Sequence, residues 1–294
     1  MKNMKKSAIW FIVLVIVFLA LQALGLKLVY AHKLPTSISY VFAKVYHLSA
    51  GEIKDQAESY PVSLTRYMDH QKSLNFYVKN NPDNNFGETD LGEVAWQRTI
   101  KDTWLEHLAK EYKLSVDAKE VDDYLKASNV IDQSKESFAD FSKKTYGVSL
   151  GKFKEIIVKP FLLEAKVYQY MLENFNDPEG MKKAQGAYAA LEGGKDFMEV
   201  AKEFSFDLTY IESGLWLKES ELVDFYEPIK GLEVGKYSQI VITPGAYVIW
   251  KLESIVDGEN NEKVWQVKPI LVQAKTLEEF FKQYIQIASV KKNY

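Results

Sequence analysis

The sequence predicts an α+β protein in three parts: an N-terminal transmembrane helix, an all-helical domain, and a small α/β domain completed by a C-terminal strand. Three observations carry that prediction. An uncharged apolar run fills positions 7–26. Apolar side chains then recur at helical spacing through the first half of the body, while strand-like patterns are confined to the last third. The 294 residues are 47% hydrophobic and 14% aromatic, enough for two cores behind a membrane segment. The parts fall at 1–31, 32–177 and 178–294.

The first run reads SAIWFIVLVIVFLALQALGL and follows Lys2, Lys5 and Lys6. Twenty helical residues span ~30 Å, the thickness of a bilayer's hydrocarbon core. It is longer than the apolar region of a signal peptide, and Val29-Tyr30-Ala31 makes a poor cleavage site. The lysines ahead of it predict a single pass through the cytoplasmic membrane, with the N-terminus inside and the body extracytoplasmic.

In the helical part, Val41, Ala43 and Val45 alternate as in a short strand. The polar stretch 80–90, with Pro82 and Gly87, reads as a loop. Ile100, Trp104, Leu105, Leu108 and Tyr112 mark a helix. Asp117 with Glu120 forms a capping-box pattern before Val121, Tyr124 and Leu125. Phe138, Phe141 and Tyr146 mark a helix ending at Gly147. Phe153, Ile156, Ile157, Leu163, Val167 and Tyr170 mark a longer one that Pro160 should kink.

The character changes at Asp177-Pro178. Ala184, Ala187, Tyr188 and Leu191 mark one helix, Gly193-Gly194 ends it, and Phe197, Val200, Ala201 and Phe204 mark another. Strands follow at 240–243 and 247–252, around the turn Pro244-Gly245. Positions 258–261 read as a hairpin loop, 264–272 as a last strand, and 276–289 as a closing helix.

Chemistry is sparse. The absence of cysteine removes disulfides, thiolate metal sites and a cysteine nucleophile. The four histidines, His32, His47, His70 and His107, lie in the first half, so the second half cannot by itself build a histidine-based triad or metal site. His70 and His107 read as surface residues, and Asp122-Asp123 and Glu278-Glu279 as solvated helix faces. The net charge of −3 carries no basic stripe, so no nucleic acid is expected. No phosphate-binding glycine loop is present, and no cofactor or metal is expected. The residues alone point to binding rather than catalysis.

Positions 194–207, GKDFMEVAKEFSFD, resemble the G-x-D-F-x-x-x-A-x-x-x-S-x-D stretch of the parvulin (PpiC-type) prolyl isomerase family. Gly214-Leu215-Trp216 is similar to that family's G-G-D-L-G-W/F turn, 221–227 to its L-V-P-E-F-E helix, 232–238 to L-x-x-G-E-x-S, and 243–249 to T-x-x-G-x-H-I-I. Upstream, 96–125 resembles the helical N-terminal domain of SurA-, PrsA- and PpiD-type chaperones, and Ala43-Lys44-Val45 followed by Ile53 resembles that domain's opening strand.

The resemblance implies a membrane-anchored folding factor that binds unfolded or newly exported polypeptides. It implies substrate-binding walls at Leu222, Phe225 and Tyr226, and catalytic positions at Asp207, Thr243 and Tyr247. Both family histidines are missing. Tyr247 stands at one position, and Pro269 at the other within 267–272, which would fill the first strand's place in a permuted sheet. Isomerisation needs no nucleophile, only an apolar pocket that favours a twisted imide, so the loss of two orienting groups predicts weak or no activity. Two other readings stay open: an active parvulin-type isomerase, and a non-enzymatic scaffold for one partner.

Overall fold

The computed structural model describes residues 2–55, 58–82, 87, 89–128, 130–132, 135–174, 177–218, 224–258 and 262–294, with the backbone alone at 2–14 and 224–225. The chain divides into two compact units, Met1–Leu163 with Tyr284–Tyr294, and Glu164–Gln283. Both mix helix and strand.

The apolar run lies in α1 (Lys2–Tyr30). Among the described residues no helix is long and apolar enough to cross a membrane. That finding overturns the expected transmembrane helix, and with it the single-pass localisation in the cytoplasmic membrane with an extracytoplasmic body. The end of α1 packs within the first unit. Val29 is fully buried, the Tyr30 hydroxyl donates to the Ser49 carbonyl at 2.9 Å, and Gly25 lies so close to the Phe42 ring that an added Cβ would fall 2.5 Å from it. Gln22, which accepts from the Tyr46 hydroxyl, and Lys27 break the apolar character further.

The first unit is not all-helical. Positions 41–45, expected as a strand, belong to α2 (Thr36–Val45), because Ser39 and Ala43 point inward four residues apart while Val41 and Val45 face out. The strands are β1 (Ser49–Lys54) and β2 (Ser59–Ser63), an antiparallel pair. Ala50 and Ile53 of β1 and Val62 of β2 are buried. Next come α3 (Leu64–Asn80) and α4 (Leu91–Glu111), which pack together, Tyr67 meeting Trp96 edge-on at 6.2 Å. α5 (Ala118–Ala127) opens with the Asp117–Glu120 capping box. α6 (Phe138–Tyr146) ends at Gly147, whose φ of 68° and contact with the Phe76 ring leave no room for a side chain. After α7 (Leu150–Phe153), a π turn over Lys154–Val158 leads into α8 (Lys159–Asn174). The wide turn absorbs Pro160, which lacks an N–H and crowds the preceding carbonyls.

α8 carries the chain into the second unit, where Asp177 caps α9 (Pro178–Glu192). One Asp177 oxygen accepts from the Gly180 N–H at 2.9 Å and the other from the Lys275 N–H at 2.7 Å. α10 (Phe197–Phe204) follows, then a four-stranded antiparallel sheet in the order β3-β6-β5-β4: β3 (Leu215–Lys218), β4 (Val241–Thr243), β5 (Ala246–Asp257) and β6 (Lys263–Gln273). Between β3 and β4 lies a short 3-10 helix, Asp224–Ile229. β6 pairs with β5 from Ala246↔Gln273 to Asp257↔Lys263, with one register shift after Leu252.

Pro269 sits in β6 beyond the end of β3, whose pairing stops at Val267, so its missing N–H costs no ladder bond. The segment after α10 covers that edge. The Leu271 N–H donates to Ser205 Oγ at 3.0 Å, and the Phe206 N–H to the Leu271 carbonyl at 2.9 Å. One sheet face holds Leu217, Ala246, Val248, Trp250, Leu252, Trp265 and Val267, with Ile229 over them. The other carries Tyr247, Ile249, Ile270 and Val272 against α9 and α10.

The end of the chain departs from the expected closing helix. α11 (Leu277–Ile287) is followed by β7 (Ser289–Lys292), which pairs antiparallel with β1 in the first unit. The Asn293 and Tyr294 N–H groups both donate to the Ala50 carbonyl, and the Tyr294 ring meets Tyr67 at 6.0 Å. β7 lies so close to β1 that a Cβ on Gly51 would fall 2.2 Å from the Lys291 carbonyl oxygen and 2.5 Å from the Trp96 ring. Gly51→Ala is therefore expected to cost about 2 kcal/mol or more, through backbone displacement. Chemical denaturation of the two full-length chains measures it, and an unchanged midpoint would sink the argument.

Candidate functional site

The family-like positions Asp207, Tyr226, Thr243 and Tyr247 are described in the second unit. Asp207 follows α10 and closes a local turn, accepting from the Thr209 N–H at 2.8 Å and the Thr209 hydroxyl at 2.6 Å. These bonds hold its carboxyl below the usual carboxylate range. Thr243 ends β4 opposite Ala246, and its hydroxyl donates to the Ala246 carbonyl at 2.8 Å, clamping the Pro244-Gly245 turn. Gly245 has φ 92° there, as such a turn requires.

Tyr226 packs on the face away from α9 and α10, its ring 5.2 Å from that of Trp250. Leu222 lies outside the described residues. The backbone of Phe225 is in the 3-10 helix, and its side chain is not described. Tyr247 is fully buried on the opposite face from Tyr226. Successive residues of a strand point to opposite sides, so Tyr247 cannot share a face with Ala246, Val248 and Trp250. The wall residue Tyr226 and the polar candidate Tyr247 are thus separated by the sheet.

Among the described residues, neither the Tyr247 hydroxyl nor Trp250 Nε1 has a hydrogen-bond partner. Burial, with the nearby Asp177 carboxylate and Tyr168, pushes the Tyr247 phenol up to about 12. Tyr168 is satisfied: its hydroxyl donates to the Lys275 carbonyl at 2.8 Å and accepts from the Gly245 N–H at 3.1 Å.

The first unit offers a different kind of site. Two cavities of about 230 Å³ each share Arg98, Tyr146 and Ile157 as a common wall. One is bounded by Leu74, Tyr77 and Val94, the other by Tyr124, Phe138, Phe141, Phe153 and Phe161. The rings brace one another: Phe141 stands edge-on to Phe153 at 6.0 Å, Tyr146 lies 5.5 Å from Phe153, and Tyr124 lies 5.5 Å from Phe161. At the rim Phe161 is 52% exposed and Val130 61%.

Larger hollows exist, of about 800 Å³ by Tyr40 and Lys152 and about 650 Å³ by Asp177 and Lys275. In each, a charged group is already engaged: Lys152 pairs with Asp69 at 2.7 Å, and both oxygens of Asp177 hold backbone N–H groups. The smaller neighbouring pair has the more apolar and aromatic lining, the better chemistry for an apolar ligand.

His70 borders this groove and is not the surface residue expected. It is buried on α3, its Nε2 2.8 Å from Asp102 Oδ2 on α4. The polar run around it hid a pairing made across two helices. His107, half-buried, stacks on Tyr60 at 4.3 Å. The groove residues Tyr124, Phe138, Phe141, Tyr146 and Phe153 were legible only as helix markers. The available signal was their density between 124 and 161.

The sequence matches no protein-family model and no curated protein. The residues and their geometry carry the functional argument.

An unpartnered, buried Tyr247 hydroxyl contributes nothing that phenylalanine lacks. Tyr247→Phe should leave stability at neutral pH unchanged or slightly raised. The phenol ionises near 10 in the unfolded chain and near 12 in the folded one, so its contribution is complete below pH 10 and is lost between pH 10 and 12. Unfolding curves across that range should fall less steeply for the variant. An equal fall in both chains would contradict the burial argument.

Proposed function

We propose that the protein is a chaperone-type folding factor that holds apolar segments of unfolded polypeptides, with a parvulin-like second unit of weak or no prolyl isomerase activity. The observation that carries the proposal is the pair of neighbouring, aromatic-walled cavities in the first unit, one of them bordered by the exposed Phe161 and Val130. Such a surface accepts many sequences, because apolar burial is non-directional and each covered side chain contributes about 1.5–3 kcal/mol. Rigid rings supply that area at low entropic cost.

The parvulin-like part of the proposal rests on the motif resemblance. The expectation of weak activity rests on the separation of Tyr226 from Tyr247. A twisted imide needs apolar walls and an orienting polar group on one side, and each ~1.4 kcal/mol of transition-state binding lost costs about tenfold in rate.

The test uses the full chain. It should suppress aggregation of several unrelated, chemically unfolded proteins. Phe161→Ser combined with Val130→Ser should at least halve that effect, since both residues are exposed and contribute little to folding. Proline-peptide isomerisation should stay near the uncatalysed rate. Efficient turnover that Tyr226→Ala abolishes would establish the enzyme instead. Suppression limited to one protein would favour the scaffold.

A further inference from the structure

We propose that the groove selects apolar segments carrying an acidic residue, with Arg98 as the group that reads it. This rests on the groove's being a polypeptide site and names the class of polypeptide it prefers.

Arg98 lies on α4 in the wall common to both cavities. Apart from tyrosines, the ionisable side chains lining the two cavities are Arg98 and His70, and His70 is held against Asp102 at 2.8 Å. Three other cations of this unit are paired: Arg66 with Glu106 at 2.6 Å, Lys144 with Glu136 at 2.8 Å, Lys119 with Asp123 at 2.8 Å. Among the described residues no hydrogen bond or ion pair engages the Arg98 guanidinium. Its charge does reach the Tyr146 phenol, partly offsetting the upward push of burial.

An unpaired guanidinium in water carries little penalty. The situation changes when an apolar segment covers the groove. Water is then displaced from a cation that has no protein partner, and burying such a charge is unfavourable unless the incoming chain supplies an anion. A carboxylate meets the need with two parallel N–H···O bonds, which a neutral amide cannot match and a lysine opposes. In an extended peptide, side chains at alternate positions face one way. An aromatic residue, an acid and a second aromatic residue at successive alternate positions would place a ring in each cavity and the carboxylate at their common wall.

The experiment measures fluorescence anisotropy of labelled Phe-Ser-Glu-Ser-Phe and its Gln and Lys analogues, titrated with the full-length protein and with Arg98→Gln. At low salt the Glu peptide should bind ~3- to 10-fold more tightly than the Gln peptide, with the Lys peptide weakest, as a partly exposed charge-assisted pair allows. The difference should shrink in half-molar salt, about where screening acts within a few ångströms. Arg98→Gln should erase the preference while keeping the affinity for the Gln peptide, and this retained binding also shows that the variant is folded. Phe161→Ser should weaken all three alike. Equal affinity for the three peptides, or a preference that survives Arg98→Gln, would overturn the acidic selectivity and leave the groove. Failure of every peptide to bind would remove the groove and the selectivity together.

Discussion

The first unit depends on a strand that follows the whole of the second unit in the chain. β7 completes the β2-β1-β7 sheet by pairing along Gly51↔Lys292 to Lys54↔Ser289. Without it, β1 presents an unpaired edge and a two-stranded ribbon, an arrangement of marginal stability. The contact is non-local in the extreme, since the whole of Glu164–Gln283 intervenes. Loop-closure entropy grows only logarithmically with length, so the equilibrium penalty is modest and the kinetic one larger. Side-chain contacts reinforce the closure: Tyr294 packs against Tyr30, His32 and Tyr67, and Lys292 lies over the Tyr67 and Trp96 rings. Gly51 is the residue that lets the two backbones approach.

In the second unit the governing constraint is the parity of β5. Its residues from Ala246 to Trp250 are all buried, because both faces of the sheet are covered. A fully buried strand reads as a continuous apolar run, and its sequence does not say which face a given residue takes. The register with β6 decides it, and places Tyr247 with Ile249 toward the helices and Ala246, Val248 and Trp250 toward the short 3-10 helix. A family motif transferred by spacing alone carries no such information. Two residues can keep their places in a pattern and still stand on opposite sides of a sheet.

Much of the local structure was legible. Asp117 with Glu120, Gly147, Gly193-Gly194 and Pro244-Gly245 each act through neighbours a few residues away, and each does in the structure what its chemistry dictates. The long apolar strand at 263–273 was legible for the same reason. β1, β2 and β7 were not. SAGEIK, SYPVS and SVKK are short and polar in part, and the first two contain Gly or Pro, so only their partners make them strands. The helix at 36–45 was misread because apolar residues at alternate positions match a strand, whereas on the helix Ala43 faces inward and Val41 and Val45 face out. The apolar run at 7–26 has the length of a span on paper, yet Gly25 near its end packs against Phe42, and Tyr30 on the same helix bonds to Ser49.

The groove was hidden for a further reason. Nothing distinguishes an aromatic residue that fills a core from one that walls an open cavity until the surrounding helices are placed. Phe153 is buried and Phe161, two turns further on, is half exposed, though both belong to one apolar stretch interrupted by Pro160. The π turn at Lys154–Val158 inserts an extra residue into the helical repeat, so residues on its two sides no longer share a single stripe. A regular helix through Pro160 would keep the apolar stripe directed at one neighbour. The wide turn instead lets Phe153 and Ile156 face the interior while Phe161 reaches the rim, its ring 5.5 Å from that of Tyr124. The proline that constrains the helix thus accounts for an open, aromatic edge beside a buried apolar stretch.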